Sequence, residues 1–319
     1  MNKWTLIFEN RLPVYIPFYR LYSKFIRTQI ERCALPGSIF VALTFDIENS
    51  WGDEEQSCQK ENNYFLRKIC EVNYGSMTFF VTGNLVLKLS DCLKDLSAGN
   101  EVGLHGYRHE LWRPAYFIKK NAIKNEIKPE LIDRSLREFK DSGLARPTAF
   151  RAPYMYCKPS DMRLIEKAGF TVDSSDPSFK GVHSIRQSGN ISRIPVTVHP
   201  VPYFKSHGGI AFTKFYQFNL KTLNEFHGKN FIDFAGQILK WQVYKHQIPH
   251  LVFLAHPWEF FTNNEDEFDE NYAHRGRTNY RILKERLSLL ENHFNVRYVT
   301  LSQLGKIYRR DTGSSVLHN

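Results

Sequence analysis

"SIFVALTFDIE", residues 38–48, is a short run of β-branched and aromatic residues that closes on two acids. Side chains two apart on a strand point to the same face. If the run is a strand, Asp46 and Glu48 therefore present their carboxylates together. Runs of the same kind follow at "SMTFFVTG" (76–83), "EVGLH" (101–105), "TAFRAPY" (148–154) and "LVFLAHPWEF" (251–260). Helical stretches lie between them: "YFLRKICEV" (64–72), "IKPELIDRSLREFKDSG" (127–143) and "PSDMRLIEKAG" (159–169). The last two stop at Gly143 and Gly169, a common helix terminator. Short apolar strands alternating with helices predict parallel βαβ units.

Each strand-like run ends in residues capable of chemistry: Asp46 and Glu48, then His105, then Arg151, then His256. In a parallel barrel the C-terminal ends of all strands open on one face, where active sites sit. The pattern predicts one site fed by several strands. Within it, "HGYRHE" (105–110) sets His105 and His109 four apart. A zinc-type catalytic site takes three protein ligands and keeps one position open. The two imidazoles can supply two ligands if the backbone turns helically there, with Asp46 or Glu48 as the third. The competing reading is two loop histidines satisfied by hydrogen bonds.

The bulk numbers set limits. The chain has 319 residues, 42% hydrophobic and 24% charged, and can bury a large core without disulfides. Its five cysteines include no C-x-x-C pair, which argues against a disulfide framework and a Cys₄ zinc site. The net charge of +10 comes without zinc-finger or RNA-binding signatures, so nucleic acid is not expected as a partner. No run is long and apolar enough for a signal h-region or a membrane span. The segment from Tyr19 to Ile30 mixes aromatics with Arg20, Lys24 and Arg27, which fits either a helix packed on the domain or one lying on a membrane surface. The expected division is a basic, aromatic extension over 1–37, the main α/β domain over 38–305 and a polar tail over 306–319, frayed from Asp311. The acidic run 262–272 lacks the glycine and spacing of a calcium loop.

Taken in order, "TFDIE", "HGYRHE", "FRAPY", "DSSDPS" and "FLAHPWE" resemble the five motifs of the polysaccharide deacetylase family, the NodB-type carbohydrate esterases. With "IPVTV" and "HGGIAF" ahead of "HPWE", the chain is most similar to a branch found with exopolysaccharide and O-antigen biosynthesis. The resemblance implies a distorted (β/α)7-type barrel. It implies Asp46 as catalytic base, Arg151 as the residue orienting it, His105 and His109 as metal ligands, and His256 as general acid. It further implies Tyr154 as a backbone oxyanion donor, Leu254 as lining for the acetyl methyl, and Asp173 as the acid tuning His256. The family's usual second aspartate is replaced by Ile47, which leaves Glu48 as the third ligand. Pro177 stands where the fourth motif usually has tryptophan. Trp258 is a candidate platform for a sugar face, as are Trp51 and Trp112.

The expected activity is removal of an N-acetyl or similar acyl group from an acetamido sugar, in a glycan or its nucleotide- or lipid-linked precursor. The expected cofactor is a divalent ion, zinc first, with cobalt, nickel or iron also suited to two imidazoles and a carboxylate. The expected location is the cytoplasm, with a possible touch on the inner membrane face. The rival expectations are an amidase acting on a non-sugar cyclic amide and a catalytically silent glycan-binding protein.

Overall fold

The computed structural model describes residues 16–49, 55–71, 75–114, 121–176, 184–207, 210–260, 268–269, 273–274 and 276–315. Trp51, Pro177, residues 1–15 and most of the acidic run lie outside these.

β1 (Ser38–Ile47) is the central strand, buried along its whole second half. Burial on both faces explains why it reads as a continuous apolar run instead of an alternating one. It is preceded by α1 (Ile16–Glu31) and followed by α2 (Glu55–Cys70), β2 (Met77–Val81), α3 (Ser90–Ser97) and β3 (Glu101–Leu104). Next come α4 (Lys128–Asp141), β4 (Ala149–Phe150), α5 (Asp161–Lys167) and β5 (Val172–Asp173). The hairpin β6 (Arg186–Ser188) and β7 (Ile191–Arg193) follows, then the hairpin β8 (Tyr203–His207) and β9 (Ile210–Lys214). The chain ends with α6 (Leu220–Glu225), α7 (Gly228–Tyr244), β10 (His250–Ala255), α8 (Arg277–His293), β11 (Asn295–Tyr298) and α9 (Leu301–Ser315).

The principal sheet runs β10-β1-β2-β3-β4-β5-β7-β6, parallel throughout except for the β6–β7 hairpin. It is a curled, barrel-like α/β sheet of the expected class. β1 pairs with β10 from Phe40↔His250 to Phe45↔Ala255, and with β2 from Leu43↔Met77 to Ile47↔Val81. β11 takes the first half of β1, Ser38 to Val41. Beyond β10, Thr197 N–H donates to the Val252 carbonyl and Leu254 N–H to that of Phe218. The "IPVTV" stretch and residues 217–219 therefore cover the edge that β10 would otherwise leave bare.

The core centres on Phe45, fully buried, whose ring meets Phe65, Phe79, Phe253 and Phe260. Two expected boundaries shift. The helix expected over 64–72 begins nine residues earlier, at Glu55. The expected break at 305/306 falls inside α9, because Leu301, Leu304, Ile307 and Tyr308 share a face that packs on Ala42, Phe80 and Ala149. Helical spacing of apolar residues outweighs the polar look of the segment. At the other end, Ile26 and Ile30 of α1 are buried with Val201 and Trp241, so residues from Ile16 onward pack on the main domain.

Phe45→Ala is expected to cost about 3–5 kcal/mol, the usual loss for a buried aromatic. Leu87→Ser, at an exposed position, should stay within about 0.5 kcal/mol of the parent. Urea unfolding of both variants checks the placement of the core.

Candidate metal and catalytic site

The C-terminal ends of β1, β3, β4 and β10 open on one cavity of about 300 Å³. Its lining includes Asp46, Glu48, His105, His109, Tyr154, Leu254, His256, Trp258 and Glu259. The strand ends thus bring together residues spread over two hundred positions of sequence.

Asp46 and Glu48 are both buried, and their surroundings separate them. Arg151, with no exposed surface, donates from Nη1 to Asp46 Oδ1 at 2.6 Å. Its Nη2 donates to Thr44 Oγ1 at 3.0 Å and to Ser174 Oγ at 2.9 Å. Glu48 meets imidazoles instead. Its Oε2 lies 2.5 Å from His109 Nε2 and 3.3 Å from His105 Nε2. Burial pushes the Glu48 carboxyl up, but His109, His105 and His256 together hold it well below the ordinary range.

The donor set fits a cation. His105 Nδ1 sits 2.9 Å from the Arg151 carbonyl. A carbonyl only accepts, so Nδ1 carries the hydrogen and the neutral ring turns a bare Nε2 into the pocket. That lone pair faces the lone pairs of Glu48 Oε2, which is buried without a hydrogen-bond partner. Glu48, His105 and His109 each bring one ligand atom, all within 4.8 Å of one another. Lone pairs converging in a buried site repel unless a proton or metal ion joins them. For His105, burial lowers proton affinity, but Asp46 and Glu48 more than reverse it.

The histidine pair is not on a helix. Residues 105–110 form a loop in which Gly106 has φ 71° and His109 φ 55°. A Cβ at Gly106 would lie 2.9 Å from Glu110 Oε1 and from Pro153 Cγ, so only glycine fits. The acid after the second histidine holds the loop. Glu110 accepts from Tyr107 N–H at 3.0 Å, Arg108 N–H at 2.7 Å and Trp112 Nε1–H at 3.1 Å. These bonds give the left-handed backbone at His109 its support. Sequence reasoning singled out the helical spacing and passed over Glu110. The signal was there: a carboxylate two and three residues after backbone donors, as in turns closed by an acid.

On the opposite wall β10 stops because Pro257 cannot continue a ladder, and His256 takes the extended backbone usual before proline. Glu259 Oε1 accepts from the His256 N–H and lies 2.9 Å from its Nδ1, closing a capping box. Nε2 then faces the pocket, 4.0 Å from Glu48 Oε1. Burial lowers this histidine's proton affinity, yet Glu259, Glu48 and Asp46 push it up to about 9. The partner of His256 is thus Glu259, not the expected Asp173. Asp173 is buried between Ser175 Oγ at 2.5 Å and Arg193 Nε at 3.1 Å. The H-P-W-E spacing of a capping box was the available signal.

Tyr154 has φ 58°, and its ring lies 4.3 Å from that of His109. Trp258 stacks on His256 at 4.7 Å. Trp112 is no sugar platform: it is 1% exposed and packs on Phe150. Met155, Gln217, Asn219 and Lys221 complete the wall and carried no motif in the sequence.

Residues 36–172 match the family described as Polysaccharide deacetylase. Among solved structures, the chain is similar to a provisionally named polysaccharide deacetylase from Mycobacterium smegmatis (TM-score 0.56, 18% identity, covering 88% of this chain and 95% of that one). It is also similar to Puue allantoinase (TM-score 0.54, 13% identity, 85% and 90% covered). A provisionally named polysaccharide deacetylase from Pseudomonas aeruginosa PAO1 gives TM-score 0.53 at 14% identity, with 85% and 91% covered. At these identities the likenesses establish the fold. No curated protein matches the chain.

Glu110→Ala is expected to weaken divalent-metal binding roughly 10–100-fold, the usual range for a residue supporting a ligand, with Glu110→Gln losing less. Calorimetric titration of metal into stripped protein measures both. Metal affinity should also fall on acidification, because protons compete for His105. Glu259→Gln removes the charge that raises His256, so any limb of the activity profile that falls as His256 deprotonates should move to lower pH.

Proposed function

Residues 36–172 match the polysaccharide deacetylase family, and from that match we propose that the chain hydrolyses the N-acetyl group of an acetamido sugar in a glycan. The observation that carries the reading is the convergence on one pocket of an Arg151-bound carboxylate, a Glu–His–His ligand set and a carboxylate-backed histidine. Amide hydrolysis needs a proton acceptor for water, a stabilised oxyanion and a proton donor for the leaving nitrogen.

In this reading Asp46, aimed by Arg151, takes a proton from the attacking water. Oxygen adds to the acyl carbon, and the Tyr154 backbone N–H donates to the oxyanion. The C–N bond then breaks as His256 Nε2–H protonates the nitrogen, giving acetate and a free amino sugar. Glu259 holds the His256 ring with Nε2 toward the pocket. Leu254 bounds the space for the methyl group and Trp258 the sugar side. Glu48, His105 and His109 would hold a divalent ion, most suitably zinc, which supplies Lewis acidity at the acyl carbonyl when bound. The resemblance of "IPVTV" and "HPWE" to surface-glycan branches supports a substrate from O-antigen or exopolysaccharide assembly, modified in the cytoplasm before export.

The test is acetate release from a panel of N-acetylated sugars, oligosaccharides and cyclic amides. The account expects release from a sugar. Turnover on a cyclic amide alone would favour the amidase reading, and saturable glycan binding without turnover would favour a silent binding protein. His256→Ala should leave metal content unchanged and lower amide turnover roughly 10²–10⁴-fold. The loss should shrink on an activated ester, whose leaving group needs no proton. Equal losses on both substrates, or loss of metal, would remove His256 from the donor role.

A further inference from the structure

Helix α1 is apolar on two sides. One side, with Ile26 and Ile30, is buried against Val201 and Trp241, with Tyr22 and Tyr244 packed beside them. The other carries Phe18, 63% exposed, Leu21, 70%, and Phe25, 47%. Their i, i+3, i+7 spacing makes one stripe. Among the described residues the other exposed large hydrophobics are Leu35, just past the helix, Leu87 and Ile127. Beside the stripe Arg20, Lys24 and Arg27, all exposed, form a second line with the same kind of spacing, followed by one acid, Glu31. A contiguous exposed apolar stripe bordered by charge marks an interaction surface.

One ring contact ties the first turns of this helix to a segment of the pocket wall. Tyr19 packs edge-on against Phe215 with ring centroids 6.0 Å apart. Two residues later the same segment supplies Gln217, then Asn219 and Lys221, to the pocket wall.

We propose that α1 lies in the headgroup layer of an anionic membrane and brings the pocket mouth to the lipid surface. Phe18, Leu21 and Phe25 enter the acyl boundary while Arg20, Lys24 and Arg27 meet lipid phosphates. Charge decides between occupants. A second copy docked stripe to stripe would bring two lines of cations together, whereas anionic lipid neutralises them. No described helix is long and apolar enough to cross a membrane, so the contact is interfacial. Resting on the reading of the pocket as a deacetylation site, the substrate is a glycan carried on a lipid.

The test uses the full chain and sedimentation with vesicles of phosphatidylcholine alone or mixed with phosphatidylglycerol. Binding to the mixed vesicles is expected, weakened roughly tenfold or more by Phe18→Ser/Leu21→Ser/Phe25→Ser and separately by Lys24→Gln/Arg27→Gln. Circular dichroism and Tm should match the parent, since these side chains are exposed. Failure of the parent to bind, or binding indifferent to both variants, would overturn the proposal. So would a parent dimer that the serine variant turns into a monomer. A soluble N-acetylated oligosaccharide separates the two readings. The serine variant should release acetate from it at the parent rate and lose rate on a vesicle-borne glycolipid. Vesicle binding without acetate release from either substrate would sink the deacetylase reading and leave the docking surface standing.

Discussion

A buried guanidinium fixes the groups on one wall of the pocket. Arg151 has no exposed surface, lies over the Phe80 ring at 4.3 Å, and spends its donors on Asp46, Thr44 and Ser174. Its carbonyl takes the hydrogen of His105 Nδ1. One residue therefore fixes both the orientation of the proposed catalytic carboxylate and the tautomer of a candidate ligand histidine. Removing one partner of such a buried pair leaves an uncompensated charge, at a cost of about 3–5 kcal/mol. Position 151 therefore constrains the fold as well as the chemistry.

The same constraint allocates the two carboxylates. Like charges two residues apart in a buried pocket oppose each other's ionisation unless each has its own counter-charge. Arg151 answers Asp46, and the imidazoles, or the cation they would share, answer Glu48. Across the pocket, Glu259 gives His256 the opposite bias and raises its proton affinity. The acceptor side and the donor side of the proposed reaction are thus set apart by their partners, which is how one pocket can hold a base and an acid at the same pH.

The sequence made the fold class legible because apolar runs ending in reactive residues are what parallel strands leave behind. Strand ends alone pointed Asp46, Glu48, His105, Arg151 and His256 to one face, and the four-residue histidine spacing added His109. The sequence missed what depends on loop geometry and on packing between distant segments. Glu110 and Glu259 close turns a few residues long, and their spacing from the backbone donors was a local signal left unread. Asp173 reads like a partner for His256 in a motif, but Arg193, twenty positions later, claims it. Gln217, Asn219 and Lys221 reach the pocket because residues 217–219 cover the edge of β10, a pairing that no local pattern announces. Residues from 306 look polar by composition, yet through Ser315 they continue a helix whose face Leu301, Leu304, Ile307 and Tyr308 share.

The central claim is the division of labour between Asp46 and Glu48. Anomalous diffraction at the metal edge from Asp46→Asn crystals tests it most directly. The account predicts a full-occupancy ion on Glu48, His105 and His109, as in the parent, in a protein that releases no acetate. An empty site in Asp46→Asn, or an ion held by residue 46 in the parent, would contradict it.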